Sequence, residues 1–378
     1  MPSLNDQLRA ELQSRAESGL RRALKTVPPG IIDLSSNDYL GLARHPAVIA
    51  AACEAAQEHG TGARASRLVG STLLHERLEH EIARFKGCAA ALVMPSGYQV
   101  NLAVISALAR RKDVIFCDKR NHASLVDACR LAHANGAVVR YYNSLEKLRA
   151  LLEKSSSAPR LLIVTDAVFS MDGDLADLRQ LAEAAQAFNA ILILDDAHGT
   201  GVLGTHGHGT VEHYGLSDQS DQFIHLGTLS KAIGTQGGFV AGTREIIEWL
   251  VNTARPFIYT TGLNPAAVGA ALAAFEILQR EPERLSYLRE VTRRLASGLR
   301  DLGFDARHQP APIIPVMLGE AQRAVALSEA LLAHGVWCPA IRPPTVPAGT
   351  SRLRVTASAA LANADLERAL AAFAAARE

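Results

Sequence analysis

Lys231 lies in the glycine-rich segment GTLSKAIG, residues 227–234, directly after a predicted strand at 223–226. A lysine beside threonine and serine in such a loop suits an amine that forms a Schiff base next to a phosphate group. The plain alternative is a solvated loop lysine, and this segment taken by itself favours that alternative. A nucleotide-binding P-loop is excluded, because the pattern GxxxxGK[ST] does not occur in the chain.

Asp195 and His198 belong to a second segment, DDAHGTG, which follows the apolar run 191–194. An acid at the end of a buried strand is costly unless it meets a cationic partner. Asp195 and His198 together could therefore hold two atoms of one planar ligand. For an isolated DxxH pattern the plain alternative is a helix N-cap followed by a surface histidine, and that alternative is the more common one.

Three further predicted strands, at 89–94, 113–117 and 161–165, are followed by residues that could contact the same ligand. Ser170 could donate a hydrogen bond to a phenolic oxygen, although turn chemistry also explains a serine there. Gly97 and Tyr98 open a predicted helix, and the free N–H groups of a helix start bind anions. His122 could either stack on an aromatic ligand or cap a helix.

The elements that position these residues form a predicted α/β domain. Short apolar runs without alternation, at 113–117, 161–165 and 190–194, are typical of strands buried on both faces of a parallel sheet. Because ligands collect at the carboxyl ends of such strands, we expect the residues named above to lie together. An anion cradle, a stacking ring, an acid for a ring nitrogen and an amine for an aldehyde describe pyridoxal 5′-phosphate (PLP).

The chain divides into three predicted parts. Residues 1–40 hold an amphipathic helix, with leucines at positions 4, 8, 12 and 20, and a connecting segment; we expect the helix to lie on a body formed elsewhere. Residues 41–270 form a large PLP-binding α/β domain. Residues 271–378 contain helices and short strands, which predict a smaller α+β domain packed on the first with a cleft at the junction.

Composition limits the class of protein. The chain has 378 residues, of which 48% are hydrophobic, enough to bury a large core. With 39 Lys and Arg against 38 Asp and Glu it lacks the basic excess of a nucleic-acid binder, and no apolar run reaches the length of a membrane span. Five scattered cysteines without CxxC spacing, and the lack of a signal-peptide core, predict a cytoplasmic protein in a reducing compartment.

A cluster of histidines invites a metal interpretation: His198, His206, His208 and His213. A zinc site would need cysteine or carboxylate ligands at a matching spacing, and the sequence places none among these histidines. Glycines also separate them. We therefore expect no metal ion.

Three motifs carry a resemblance to a known family: NDYLG at 37–41, DDAHGTGVLG at 195–204 and GTLSKAIGTQGG at 227–238. With them the chain resembles the α-oxoamine synthases, PLP-dependent enzymes of fold type I, over nearly its whole length. The segment AIRPPTVPAGTSRLRVT, at 340–356, is most similar to the members that join L-alanine to a pimeloyl thioester in biotin biosynthesis. The resemblance implies an acyltransferase that releases CO2 and a free thiol. It also implies a mostly parallel central sheet with helices on both faces and a smaller C-terminal α+β domain.

The resemblance assigns roles around the cofactor. Lys231 matches the lysine that forms the Schiff base with PLP, Asp195 the acid that pairs with the pyridine nitrogen, and His122 a stacking histidine that assists proton movement. These three are the predicted catalytic residues. Further cofactor contacts are implied for Gly97, Tyr98, Ser170, His198, Thr228, Thr260 and Thr261. The two adjacent threonines would reach the phosphate of a partner subunit, which implies a homodimer with shared active sites.

Substrate contacts are implied in the same way. Arg342 matches an arginine that grips the amino-acid carboxylate, a task that suits its bidentate fork. Asn37 matches a polar group near that carboxylate, and Arg21, His122 and Thr345 match contacts to the substrates. The thioester could be carried by acyl carrier protein or by coenzyme A, with acyl carrier protein the expected transient partner.

Three alternatives stay open at this point. A sister synthase that joins glycine to acetyl- or succinyl-coenzyme A would share the whole site, although the segment IRPPTVPAGT argues against it. An aminotransferase would use a second keto acid and release no thiol. A PLP-fold regulatory or scaffold protein would bind the cofactor without turnover.

Overall fold

A computed structural model describes residues 2–18, 21, 24 and 26–377 of the chain. A seven-stranded sheet forms within residues 90–242 and a four-stranded sheet within residues 305–356. A two-stranded sheet pairs residues 32–33 with residues 336–337. The strands are β1 (Ile32–Asp33), β2 (Ala90–Met94), β3 (Val114–Asp118), β4 (Val138–Tyr142), β5 (Leu161–Asp166), β6 (Ile191–Asp195), β7 (Phe223–Thr228), β8 (Gly238–Gly242), β9 (Asp305–Ala306), β10 (Ile313–Gly319), β11 (Val336–Trp337), β12 (Ala340–Ile341) and β13 (Ser351–Thr356).

Helices fill most of the remaining described chain. They are α1 (Leu4–Glu17), α2 (Pro46–His59), α3 (Leu73–Lys86), α4 (Gly97–Leu108), α5 (Ala123–Ala134), α6 (Leu145–Lys154), α7 (Leu178–Ala187), α8 (Thr210–His213), α9 (Arg244–Thr253), α10 (Arg255–Ile258), α11 (Pro265–Arg280), α12 (Glu283–Asp301), α13 (Ala321–Ala333) and α14 (Asn363–Ala375). Two short 3-10 helices lie at Leu42–Arg44 and Ser217–Gln222. Among the described residues, none of the helices combines the length and the apolar character that a bilayer span requires.

The larger sheet confirms the predicted fold class. Its strand order is β2-β8-β7-β6-β5-β3-β4, and β7, β6, β5, β3 and β4 pair in parallel. Helices α5, α6 and α7 each connect two of these parallel strands. Within the sheet β8 is the strand that runs antiparallel to its neighbours, β2 and β7.

Alternate residues of the central strands pack on helices of opposite faces. Ile115 and Cys117 of β3 belong to the core that includes residues of α4, α5 and α9, whereas Val114 and Phe116 belong to the core that includes α6 and α7. A third core joins Phe239 of β8 to α3, α11 and the C-terminal sheet. Burial on both faces explains why these strands appear in the sequence as apolar runs without alternation.

Two strands of the sheet escape sequence reasoning. The edge strand β4 has the sequence VVRYY, and its central Arg140 and Tyr141 are exposed. The strand β8 has the sequence GFVAG, and its terminal glycines make it look like part of the preceding loop. Both strands are defined by their pairing with neighbours, which a local pattern does not reveal.

The C-terminal part contains an antiparallel sheet of order β12-β13-β10-β9, together with α12, α13 and α14. This agrees with the smaller α+β unit implied by the sequence. The boundary between residues 270 and 271 lies within α11, which packs on α2 and α3. The division into domains stays a prediction.

The N-terminal helix forms but does not lie on the body of the chain. A capping box between Ser3 and Asp6 begins α1, which confirms the predicted helix. None of the described residues of α1 is buried, and Leu4 is 69% exposed. The expectation that this helix packs on the rest of the same chain is therefore wrong, because no other described element covers its leucines; Leu20 lies outside the described residues.

Candidate active site

Residues from the carboxyl ends of several strands surround one cavity of about 260 Å³. The parallel strands β5, β6 and β7 end at the same edge of the sheet, and β2 leads into α4 beside them. The cavity is lined by Ser96, Gly97, Tyr98, Asn101, His122, Ser124, Asp166, Ser170, Asp195, Ala197, His198, Thr228, Ser230 and Lys231. The structure thus brings together the eight residues that the sequence placed around the cofactor within one subunit.

Lys231 carries its amine into this cavity beside a histidine. The distance between Lys231 Nζ and His198 Nε2 is 2.7 Å, and His198 Nδ1 lies 2.6 Å from the hydroxyl of Tyr39. Burial lowers the pKa of Lys231 to about 8, although the nearby carboxylates of Asp195 and Asp166 oppose the shift. Burial, with the charge of Lys231, also holds the pKa of His198 well below its ordinary value, so this ring is neutral.

Asp195 ends β6 with its carboxylate held by two donors. Asn101 Nδ2 donates to Oδ2 at 2.7 Å, and the backbone N–H of Ala197 donates to Oδ1 at 3.1 Å. These hydrogen bonds fix the direction in which the carboxylate can accept from a ligand. Asn101 lies in the middle of α4, and sequence reasoning missed it because a single amide in an apolar helix carries no motif.

Asp166 is a second buried acid, at the end of β5 and in register with Asp195 on β6. Its Oδ2 accepts a hydrogen bond from the backbone N–H of His122 at 2.6 Å. Burial raises the pKa of Asp166 well above its ordinary value, and the charge of Asp195 adds to the shift. Sequence reasoning passed over Asp166, although its position directly after an apolar run was the available signal.

The N-terminus of α4 and the end of β7 form an anion cradle. Ser96 caps α4 by accepting from the backbone N–H of Gln99, whereas the N–H groups of Gly97 and Tyr98 belong to the first turn and have no partner within the helix. A Cβ atom on Gly97 would lie 3.2 Å from Cβ of Thr228. Thr228 itself hydrogen-bonds to Ser230, so two hydroxyl groups stand beside the helix start.

His122 caps α5 and faces the same cavity. Its Nδ1 lies 2.7 Å from Ser124 Oγ, and its ring meets the ring of Tyr98 edge-on, with 6.5 Å between centroids. The hydroxyl of Tyr98 hydrogen-bonds to Asp127, which holds that ring in place. The capping alternative for His122 is confirmed, and its ring also lines the cavity, so stacking on an aromatic ligand stays a prediction.

A buried arginine adjoins the cavity from the C-terminal sheet. Arg354 on β13 donates from Nε to the backbone oxygen of Ser170 at 2.5 Å and from its guanidinium to Asn37 Oδ1 at 3.1 Å. The same Asn37 oxygen accepts from the hydroxyl of Tyr39 at 3.0 Å. Sequence reasoning missed Arg354, because the strand SRLRVT gives no sign of which arginine points inward.

The remaining predicted contacts lie outside the cavity of this subunit. Thr260 is half-buried and Thr261 exposed, in the segment after α10. Arg342 is half-buried and Thr345 exposed, and the turn they form is closed by a hydrogen bond from the N–H of Thr345 to the oxygen of Arg342. Arg21 is exposed next to residues outside the described chain. The roles of these five residues stay predictions.

The histidine cluster includes a carboxylate that the sequence spacing did not reveal. One possible ligand atom from each of His206, His208 and Glu212 lies within 4.8 Å of the others. Glu212 accepts hydrogen bonds from the backbone N–H groups of His206 and His208 and lies 2.6 Å from His206 Nδ1. The carboxylate already serves to close this loop, so these contacts explain its position without an ion.

The cavity residues fit the chemistry of PLP. A buried amine suits the aldehyde, and the acid Asp195 suits a protonated ring nitrogen. The free N–H groups at the start of α4, with the hydroxyl of Thr228, suit the phosphate. All of these residues line the same cavity.

Comparison with known proteins gives the family. The model of aminotransferase class I and II matches residues 29–373. The chain belongs to this family. An 8-amino-7-oxononanoate synthase of Anaeromyxobacter dehalogenans is 47% identical over 98% of this chain and 95% of that protein. One of Geobacter sulfurreducens is 46% identical over 96% of each chain.

Solved structures of this family extend the likeness to three dimensions. A serine palmitoyltransferase variant from S. paucimobilis, with bound PLP–myriocin aldimine, superposes with a TM-score of 0.90. It is 32% identical, and the match covers 99% of this chain and 98% of that one. The likeness therefore covers the overall fold, since the superposition includes almost all of this chain.

Proposed function

We propose that the chain is an 8-amino-7-oxononanoate synthase. In this reaction L-alanine condenses with a pimeloyl thioester to give 8-amino-7-oxononanoate, CO2 and the free thiol, a step of biotin biosynthesis. The relatives at 46–47% identity over almost the whole chain support the reaction and its substrates. The observation that carries the chemistry is the amine of Lys231, buried in one cavity with Asp195 and the anion cradle at α4.

PLP is the cofactor, and when bound it supplies an electron sink for the bonds broken at the alanine α-carbon. The residues that would hold it are Lys231 at the aldehyde, Asp195 at the ring nitrogen and His198 with Ser170 at the ring hydroxyl. Gly97, Tyr98 and Thr228 would hold the phosphate. These assignments combine the resemblance with the side chains that line the cavity.

Lys231 is also the base that the cavity supports for proton removal from alanine. Its pKa of about 8 leaves roughly a tenth of the amine neutral at pH 7 when no other group changes. The neutral His198 ring, 2.7 Å from Lys231 Nζ, can accept or return a proton at Nε2. The carboxylate of Asp195 is held by Asn101 and the N–H of Ala197, and it would keep the ring nitrogen of PLP protonated.

Two arginines are candidates for the alanine carboxylate. The resemblance favours Arg342, whereas the contacts of Arg354 with Ser170 and Asn37 place a buried guanidinium beside the cofactor residues. A planar guanidinium can bind a carboxylate through two parallel hydrogen bonds. We propose Arg354 as the main carboxylate contact and keep Arg342 as the alternative.

The enzyme is proposed to be a homodimer with shared active sites. Thr260 and Thr261 lie outside the cavity of their own subunit, in the segment that begins at Tyr259, which is 72% exposed. Leu68 and Val69 form a further exposed apolar pair. Burial of these side chains by a second copy would carry the two threonines to the partner's phosphate site. We place the enzyme in the cytoplasm, with acyl carrier protein as its transient donor.

An assay with paired substrates tests the proposal. The protein, loaded with PLP, is incubated with L-alanine and pimeloyl-acyl carrier protein or pimeloyl-coenzyme A, and free thiol and product mass are followed. Glycine with acetyl-coenzyme A runs in parallel. Product from the alanine pair supports the assignment, and the faster of the two donors identifies the carrier.

Two outcomes would contradict the assignment. Product from the glycine pair alone would make the chain a sister synthase with the same site. Transfer of the amino group to a keto acid, without release of thiol, would make it an aminotransferase. Light scattering of the same preparation tests the homodimer, and a monomer that is fully active would exclude shared sites.

A further inference from the structure

Two buried polar residues of the cavity lining connect His122 to Asp195. Asn101 on α4 is 2% exposed and Ser124 on α5 is 1% exposed. They connect two catalytic residues in one line of hydrogen bonds, from Asp195 through Asn101 and Ser124 to His122. Neither residue belongs to a sequence motif of the site.

The direction of the first two hydrogen bonds is determined by Asp195. Asn101 Nδ2 lies 2.7 Å from Asp195 Oδ2 and 2.8 Å from Ser124 Oγ. A carboxylate accepts and does not donate, so the amide must turn its NH2 group toward it rather than its oxygen. Both N–H bonds of Asn101 are then used, one to the carboxylate and one to the hydroxyl oxygen.

The hydroxyl oxygen of Ser124 therefore accepts a hydrogen bond from Asn101, and its own proton can be donated to another atom. Its other close partner is His122 Nδ1, at 2.7 Å. The backbone N–H of Ser124 also points at this nitrogen, at 3.3 Å. The backbone N–H can only donate, so Nδ1 must present its lone pair, and the proton of the neutral ring belongs on Nε2. The Ser124 hydroxyl then donates to the same nitrogen.

The charge state of His122 agrees with this arrangement. Burial lowers the pKa of His122 below its ordinary value, although the carboxylate of Asp195 opposes the shift. A neutral imidazole holds one proton, and a proton on Nδ1 would face the N–H of Ser124. Nε2 has no hydrogen-bond partner among the described residues, so its N–H is available to a ligand in the cavity.

We propose that Asn101 and Ser124 are positioning residues that hold His122 as the tautomer with its proton on Nε2. His122 then offers the cavity a hydrogen-bond donor and not a base. In the condensation of a thioester with an amino acid, on which this inference rests, that donor would meet an oxygen of the acyl substrate as negative charge develops on it. Asp195 and His122 are thus oriented by one shared network.

The tautomer can be measured without any turnover. The PLP-loaded enzyme is prepared with ¹⁵N-labelled histidine, and the His122 signals are assigned by their loss in His122→Asn. We expect a protonated Nε2 and an unprotonated Nδ1 in the natural protein. Ser124→Ala keeps the backbone N–H but removes the hydroxyl donor, so both nitrogens should shift part of the way toward the average of the two tautomers. Ser124→Thr, which keeps the hydroxyl, should preserve the original pattern.

Kinetics add a second readout. Ser124→Ala should lower kcat about tenfold with KM for both substrates changed less than twofold, because a donor in the wrong tautomer affects the reaction more than binding. The matched control is Ser106→Ala on α4, whose hydroxyl donates to the backbone oxygen of Leu102 and touches no cavity residue.

The two kinds of failure are distinguishable. A proton on Nδ1 in the natural protein, or an unchanged tautomer in Ser124→Ala, would overturn the proposed network whatever the enzyme converts. Absence of product from alanine and a pimeloyl thioester would overturn the proposed function, while the tautomer measurement would still decide on the roles of Asn101 and Ser124.

Discussion

The amine of Lys231 lies 2.7 Å from Nε2 of His198, deep in the cavity at the edge of the large sheet. Two basic groups at this distance are not both protonated, because their charges would repel in a buried site. The pKa of His198 falls well below its ordinary value and that of Lys231 falls to about 8, both chiefly through burial. A lysine of this kind is a nucleophile near neutral pH.

The first prediction concerns pH. Covalent attachment of PLP to the cofactor-free protein requires a neutral Lys231. Its rate should rise about tenfold per pH unit below pH 8 and level off above it, since the pKa is lowered from 10.5 to about 8. Stopped-flow absorbance from pH 6 to 10.5 measures this profile. Nα-acetyl-lysine, whose side-chain amine is free, is the control. A rate that keeps rising to pH 10 would contradict the lowered pKa.

The second prediction concerns the anion cradle. A Cβ atom on Gly238 of β8 would lie 2.5 Å from the backbone nitrogen of Gly97, so Gly238→Ala must displace the start of α4. We expect the affinity for PLP to fall at least about tenfold, equivalent to roughly 1.4 kcal/mol. Titration of the cofactor-free protein measures it.

Gly242→Ala in the same strand is the matched control, since its Cβ atom would lie 3.8 Å from its nearest neighbours, Ile246 and Phe223. Its PLP affinity should stay within twofold of the natural protein. Equal losses in both variants would mean that β8 tolerates no side chain at all, and that the cradle is not the cause.

The third prediction concerns which arginine, Arg354 or Arg342, binds the carboxylate of L-alanine. Arg354→Lys keeps the charge but removes the planar fork, so KM for L-alanine should rise about tenfold or more, while KM for the thioester stays within about twofold. Arg342→Lys should change KM for L-alanine less than threefold. Initial rates of thiol release measure both variants, and PLP absorbance checks that each still binds the cofactor. The reverse order of effects would assign the carboxylate to Arg342.

The fourth prediction concerns the contribution of the buried ion pair between Lys86 and Asp196 to the free energy of unfolding. Lys86 Nζ contacts Asp196 Oδ2 at 2.8 Å and the backbone oxygen of His208 at 2.5 Å, and both side chains of the ion pair are almost fully buried. Lys86→Met leaves the carboxylate of Asp196 without its cation. The free energy of unfolding should fall by about 3 kcal/mol or more.

Urea unfolding of the PLP-loaded protein measures this change, with Lys147→Met on the exposed face of α6 as control. The control should change the free energy of unfolding by less than about 0.5 kcal/mol. A loss of the same small size in Lys86→Met would show that Asp196 is satisfied by its hydrogen bonds from Thr210 alone.

The candidate site could be predicted because its main residues follow strands that are mostly apolar. Lys231, Asp195 and Ser170 each lie just beyond such a run, and parallel pairing brings those ends to one edge. The strands β2, β3, β5, β6 and β7 were predicted on the same basis, whereas the family was predicted from the motifs at 37–41, 195–204 and 227–238. The edge strand β4 and the glycine-bounded β8 were not, because pairing with a neighbour defines them.

The site residues that were not predicted from the sequence are recognised only by their contacts in the folded structure. Asn101 and Ser124 are single polar residues within helices, and their meaning appears when α4 packs beside α5. Arg354 was indistinguishable from Arg352 in the sequence, whereas the structure directs one to Ser170 and Asn37 and the other to Asp172. The uncovered leucines of α1 show the converse, since an amphipathic pattern does not say which surface will cover it.

The hydrogen bond between Arg354 and Asn37 spans 317 positions of the chain. Arg354 must therefore leave the ribosome before these two parts of the chain can meet, and a nascent chain that stops short of β13 lacks the guanidinium that contacts Ser170 and Asn37. The proposed carboxylate contact would then form late in synthesis, well after β6 and β7 have left the exit tunnel. A chain that ends before Arg354 should lack this contact even where Lys231 and Asp195 are in place.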